Sequence, residues 1–219
     1  MGRKSSLMNK NTALASGWLV AALFAGMMLG GGFAPQAEKT GVVDLADVVA
    51  RSQFGKGSEE RFRAMRVQRE GLLEFMNTYR IMTVEQATKL RDLSLKETSA
   101  AEKAELDKLK EDIKKTDAKN TELSTKTTQL TAEERALMQQ YGTQAQQIGD
   151  LAQRWAQEFT NDLEGWVRKQ DEETVKRVRD AVNEVARAQG YSVVFDARVA
   201  PYGANNLTEN VVKAMDAKS

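Results

Sequence analysis

Cysteine and histidine are both absent from the 219 residues, and only two prolines occur, Pro35 and Pro201. Without cysteine there is no disulfide, no thiol nucleophile and no thiolate metal site. The lack of histidine removes the commonest general base, the commonest metal ligand and the usual switch near neutral pH. Between the two prolines run 165 residues without another, so nothing there imposes a proline break on a long helix. No GxxxxGK[ST], no placed GxGxxG and no metal-ligand spacing occurs, and Gly30-Gly31-Gly32 sits inside an apolar N-terminal run rather than after a strand. Asp44, Glu184 and Asp196 are acids with nothing in the sequence to fix them as a pair. Neither cofactor nor metal is expected, and the chain does not read as an enzyme.

What is present begins with a compartment signal. Arg3, Lys4 and Lys10 lead, Asn11 to Ala37 carries no charge, and Trp18 to Phe33 is almost wholly apolar or Gly. A basic lead, an apolar stretch and then small residues make a secretory signal over residues 1–37. The uncharged run also exceeds the roughly 18 residues that permit a spanning helix, so an uncleaved anchor over residues 13–34 is the second reading. Under either, Lys and Arg stay on the cytoplasmic side and the remainder is exported. Those first 37 residues hold three of the 32 Lys+Arg and none of the 31 Asp+Glu, leaving 29 bases against 31 acids, a net of −2. No global field favours nucleic acid.

Three zones follow. Thr40 to Leu45 is β-prone and Ala46 to Gln53 suits a brief helix; Gly55-Lys56-Gly57 then breaks the chain, and Ser58 with Glu59 and Glu60 starts a helix. Residues 58–189 form the bulk. Apolar residues recur at Phe62, Met65, Leu72, Met76 and Tyr79, then from Leu106, Leu109 and Ile113 through Leu123, Leu130, Leu137, Tyr141, Ile148, Leu151 and Trp155 to Phe159, Val178 and Val185. This diluted heptad seam suits coiled-coil-like arms. Capping-box patterns stand at Thr83–Gln86, Ser99–Glu102 and Thr131–Glu134. The unbroken heptad phase argues against a full turn at Thr131, and residues 80–131 are left as a tip with one or more breaks. Gly190 closes the last long helix. Tyr191 to Phe195 is a strand, Asp196, Ala197 and Arg198 a turn, Val199 to Tyr202 a second short strand, and Leu207 to about Ala217 a closing helix.

The fold class is therefore mostly α, a long helical hairpin (58–189) on a small β/α head built from residues 38–57 and 190–219. The regular part of that head, residues 40–56 and 190–217, totals 45 residues. Domains of about that size bury too little surface to be secure alone, and with no disulfide the remaining device is oligomerisation. Val193-Val194-Phe195 is a consecutive apolar run, implying that both faces of a small sheet are covered. Val42, Val43, Val193, Val194, Phe195 and Tyr202 are the candidate subunit-interface residues.

Ala181 to Gly190, Tyr191-Ser-Val-Val-Phe-Asp196, Val199-Ala-Pro-Tyr202 and the closing helix resemble the C-terminal end of the Skp/OmpH family of periplasmic chaperones. Thr40-Gly-Val-Val-Asp-Leu45 looks like the first strand of that family. The resemblance implies a homotrimer whose β body carries three helical tentacles and holds unfolded outer-membrane or envelope proteins without ATP. Met65, Phe75, Met76, Tyr79 and Met82 lie on the first arm, where soft side chains suit promiscuous contact. Arm-to-arm packing is the plainer use for them; Phe75, Met76, Tyr79 and Met82 are the client-binding candidates. Better-known members are strongly basic, whereas Lys96 to Glu134 here holds eight Lys and ten Asp+Glu. Holding is thus expected to rest on apolar contact more than on charge. The alternative from another class is a membrane-anchored coiled-coil scaffold or spacer of the envelope.

Overall fold

A computed structural model of the chain describes residues 39–201 and 205–218. The signal or anchor segment and Tyr202 lie outside them. Among the described residues the order is β1 (Thr40–Val43), α1 (Leu45–Arg51), α2 (Gln53–Thr78), α3 (Val84–Ser94), α4 (Ala100–Thr125), α5 (Ala132–Gln189), β2 (Val193–Asp196) and α6 (Thr208–Asp216). They divide into two compact units, one of residues 39–60 with the described residues from Gly165 on, and the other Arg61–Glu164. No described helix is long and apolar enough to cross a membrane.

In the first unit β1 and β2 pair in parallel, Thr40 opposite Val193 and Val43 opposite Asp196. Because side chains alternate along a strand, Gly41, Val43 and Val194 share one face while Val42, Val193 and Phe195 share the other. Val43 enters a core with Leu45, Val48, Val178, Ala181, Val185, Val211 and Met215, and Val194 packs against its edge. The spacing 178, 181, 185 is one helical face, so the last turns of α5 carry a stripe of this core. Gly41 leaves room for Leu207, whose Cδ1 would lie 2.6 Å from a Cβ placed there and would have to shift.

Polar side chains fasten the ends of these elements. Asp44 caps α1, accepting from the Asp47 amide at 2.9 Å, and its own amide donates to Thr208 Oγ1 at 2.9 Å. Asp216 at the end of α6 accepts from the Gln53 amide at 2.7 Å, placing a carboxylate on the N-terminus of α2. Asp196 is taken by Arg198, and Glu184 pairs with Lys218 at 2.5 Å. The acids that might have suggested chemistry are thus caps and pair partners.

Three expectations change here. Helix α2 begins at Gln53, not Ser58; the break is Ser52, whose buried hydroxyl donates to the Val49 carbonyl and accepts from the Gly55 amide, both at 3.0 Å. Val199 belongs to the turn over 197–199 instead of starting a strand. The third element beside the sheet is a single parallel bridge of Val42 to Asn206, with the Val42 amide donating to the Asn205 carbonyl at 2.8 Å. Gly190 does adopt φ +72° after α5, as a C′ glycine should.

The second unit is thicker than a two-helix hairpin. Both Thr83 and Ser99 form full capping boxes, starting α3 and α4. The turn between α4 and α5 falls over residues 126–131. There the Thr131 amide donates to Glu134 Oε2 at 2.9 Å and the Glu134 amide donates back to Thr131 Oγ1 at 3.2 Å. Local capping therefore sets the turn that heptad continuity argued against. One core joins Leu72, Met76, Met82, Ala87, Leu90 and Ile113 to Ile148, Ala152, Trp155 and Phe159; a second joins Ile81, Leu123 and Tyr141. Arg91 of α3 ion-pairs with Glu158 while its guanidinium lies 5.0 Å from the Trp155 ring centre. That contact stitches α3 onto α5.

Candidate functional site

Two surfaces stand out, one in each unit. The first is the outer face of the sheet. Val193 is 39% exposed, Phe195 42% and Val199 75%. The sheet has two strands, and among the described residues no strand lies on the far side of β2. In-plane backbone groups alternate along a strand like the side chains do, so β2 carries an open hydrogen-bonding edge beside its exposed apolar pair.

The interface candidates separate accordingly. Val193 and Phe195 present apolar surface outward. Val43 and Val194 do not, since both turn toward the core of their own unit. The error in grouping them was to treat a consecutive apolar run as one surface, when alternation sends its members to opposite faces. Val42 shares the face of Phe195 but is only 5% exposed.

The second surface is an open groove of about 330 Å³ between α2, α3 and α4. Its floor is apolar, from Leu72 and Phe75 of α2, Leu90 and Leu93 of α3 and Leu106 of α4. Val67, 58% exposed, and Gly71 also line it. Lys96, Lys103 and Lys110 are the charged residues of the lining, and no carboxylate joins them. Lys96 is held by Glu102 at 2.6 Å. The Lys96 ammonium, with the Ser99 amide and hydroxyl, holds the Glu102 carboxyl down at about 2. Lys103 and Lys110 form no ion pair among the described residues; Lys110 Nζ stands 5.8 Å from the centre of the Phe75 ring.

Of the client-binding candidates, Phe75 faces this groove and stacks with Tyr79 at 4.8 Å between ring centres, tilted by 46°. Both are half-buried. Met76 and Met82 are interior side chains, each 1% exposed in the arm core. Met76 is one helical turn from Leu72 on the packed side of α2, and Met82, in the loop between α2 and α3, is buried in the same core, so in this conformation both serve arm packing and offer no outer surface. Lys103, Lys110 and Val67 were not singled out from the sequence, and Leu106 was read only as part of the arm's apolar seam. The signal was there: Lys96, Lys103 and Lys110 are each seven residues apart.

A family model described as outer membrane protein (OmpH-like) matches residues 73–215, from the arm through β2 and α6. The chain belongs to the OmpH-like family. A crystal structure from Caulobacter crescentus CB15, described as an OmpH-like outer membrane chaperone, aligns with a TM-score of 0.51 at 21% identity. The alignment covers 88% of this chain and 92% of that one, a likeness of fold. No curated protein matches the chain. Membership in the OmpH-like family supports a chaperone role in general terms and agrees with the helical architecture described above.

Proposed function

We infer that this OmpH-like protein is an ATP-independent holding chaperone of the periplasm, and that its clients are unfolded outer-membrane or envelope proteins. The carrying observation is the family match over residues 73–215, which takes in most of the arm and the last strand and helix of the head. The physics of holding needs no reaction. An unfolded client exposes strand edges and apolar patches that pair with other chains, and enclosure by arms removes those partners. Contacts that are individually weak allow the client to leave.

The working form in this reading is a homotrimer joined through the head. Support comes from the open edge of β2 and from Val193 and Phe195 beside it. A two-stranded sheet is marginal by itself, and a neighbouring copy seated on this face would complete it. Export follows from the character of residues 1–37.

Two measurements test the reading. Purified protein should suppress aggregation of an unfolded β-barrel protein without nucleotide, and light scattering should give three subunits per particle. Aggregation that proceeds unchanged at excess protein overturns the holding function. A folded monomer with a cooperative melt overturns the assembly.

A further inference from the structure

We propose that the groove between α2, α3 and α4 is a discrete docking site for an apolar helical segment of a client that carries two acidic residues one heptad apart. The proposal rests on the holding reading and names what one part of the arm grips. Three features of the groove carry it, and each constrains the occupant differently.

The floor sets the first constraint. Leu72, Phe75, Leu90, Leu93 and Leu106 come from three helices and leave an open apolar trough. Leu72, Leu90 and Leu93 are already buried, so the apolar surface that an occupant can take out of water is that of Val67, Phe75 and Leu106.

Charge sets the second. The lining holds lysines alone, and Glu102 occupies only Lys96. Lys103 and Lys110 are seven residues apart on α4, which places them on one face and about 10.5 Å apart along the axis. An occupant with acids at the same heptad spacing meets both ammonium groups while its intervening apolar turn faces the floor. That is the helix-in-groove mode, in which anchors at helical spacing fill the trough and flanking charge sets register. An occupant with basic flanks would face two unpaired ammonium groups.

Gly71 sets the third. It lies inside α2, where glycine costs roughly 0.5–1 kcal/mol relative to alanine. No neighbour within 4 Å of its would-be Cβ requires a glycine there. Its place in the groove lining gives it a use, since a missing side chain lets a second helix approach closely.

The test uses the full protein and a pair of labelled peptides of about 14 residues, four helical turns. One carries leucines on one face and two glutamates seven positions apart; its twin carries lysines in place of the glutamates. By fluorescence anisotropy the acidic peptide should bind and the basic twin should bind about tenfold more weakly. The Lys103→Glu/Lys110→Glu variant should reverse that preference, and Gly71→Trp, which fills the trough from an open helix position, should weaken both peptides. A photoreactive group at the centre of the acidic peptide should label the wild-type protein at Val67 or Leu106. That mapping needs no variant and keeps the proposal falsifiable if a substitution impairs folding. Labelling elsewhere, or equal binding of the twins, overturns the groove. Aggregation suppression is measured on the same samples. If clients are held while the peptide labels another site, the groove assignment fails and the holding function stands. If the peptide labels the groove while clients aggregate freely, the docking site stands and the holding function fails.

Discussion

Two glycines in α2 should answer the same substitution with opposite signs. Gly57 has nothing within 4 Å of a would-be Cβ. Gly57→Ala should therefore only recover the conformational cost of glycine in a helix, stabilising the first unit by about 0.5–1 kcal/mol. Gly55 lies two residues earlier against the elbow between α1 and α2. A Cβ there would overlap the Val49 carbonyl oxygen, a backbone atom that cannot swing aside. Relief requires opening the elbow, which breaks the bonds of Ser52 Oγ to the Val49 carbonyl and from the Gly55 amide. Each contributes about 1 kcal/mol net, and a buried hydroxyl left without partners costs about 1–3 kcal/mol more. After crediting the helix-propensity gain, Gly55→Ala should destabilise by about 2–4 kcal/mol. Hydrogen exchange read on peptides from residues 40–60 and 205–218, at fixed protomer concentration, localises the effect to this unit. Equal protection in the two variants would refute the close-approach account of Gly55.

Other outcomes follow from single contacts. Phe195→Asp should lower the particle mass to that of a monomer, because a carboxylate would be buried unpaired at the face assigned to a neighbouring copy; a full-mass particle would remove that face from the interface. Thr131→Ala deletes the hydroxyl that caps α5 and should cost about 1 kcal/mol, with loss of exchange protection confined to the α4–α5 end of the arm. Glu102 has its pKa depressed from 4.5 to about 2 in the folded chain, so its stabilising effect is complete above 4.5 and is lost as pH falls toward 2. Circular dichroism across that window should show a shallower acid loss of helix in Glu102→Gln than in the wild type, and identical acid limbs would dismiss the Lys96–Glu102–Ser99 contact.

Much of the fold could be read in the residues because its signals are local. Gly190 after Gln189 marks a helix end because glycine permits the positive φ there, whereas Asp44, read within the β-prone stretch, proves to cap α1. Thr83, Ser99 and Thr131 each start a helix in the same way. The misjudged turn at Thr131 came from weighing a diffuse pattern against a local one. A heptad seam diluted with Thr116, Thr127 and Glu134 keeps its phase by coincidence across a break, because any seven-residue spacing continues it. Reciprocal hydrogen bonds at a cap have no such freedom. Val199 was harder: it is β-branched, but Asp196 accepts from the Arg198 amide and side chain and carries the turn on through Val199.

The groove was missed for a related reason, and the miss bears on mechanism. Eight lysines against ten acids between Lys96 and Glu134 is a balanced count, and a count averages over faces. On a helix the acids can be spent on near neighbours while one row of bases stays free. Glu111 pairs with Lys114, Glu122 with Lys119 and Glu134 with Lys126, each at 3.0 Å or less. Those pairs are exposed and contribute little stability, and Asp107, one helical turn from both Lys103 and Lys110, ion-pairs with neither among the described residues. A near-neutral arm can thus keep a directional charge signal beside an apolar floor. Salt should then act on the choice among clients through Lys103 and Lys110, because exposed attraction is screened beyond roughly 10 Å at 0.1 M. Apolar contact with the floor survives the same salt, so clients would be held when the discrimination between acidic and basic flanks has faded.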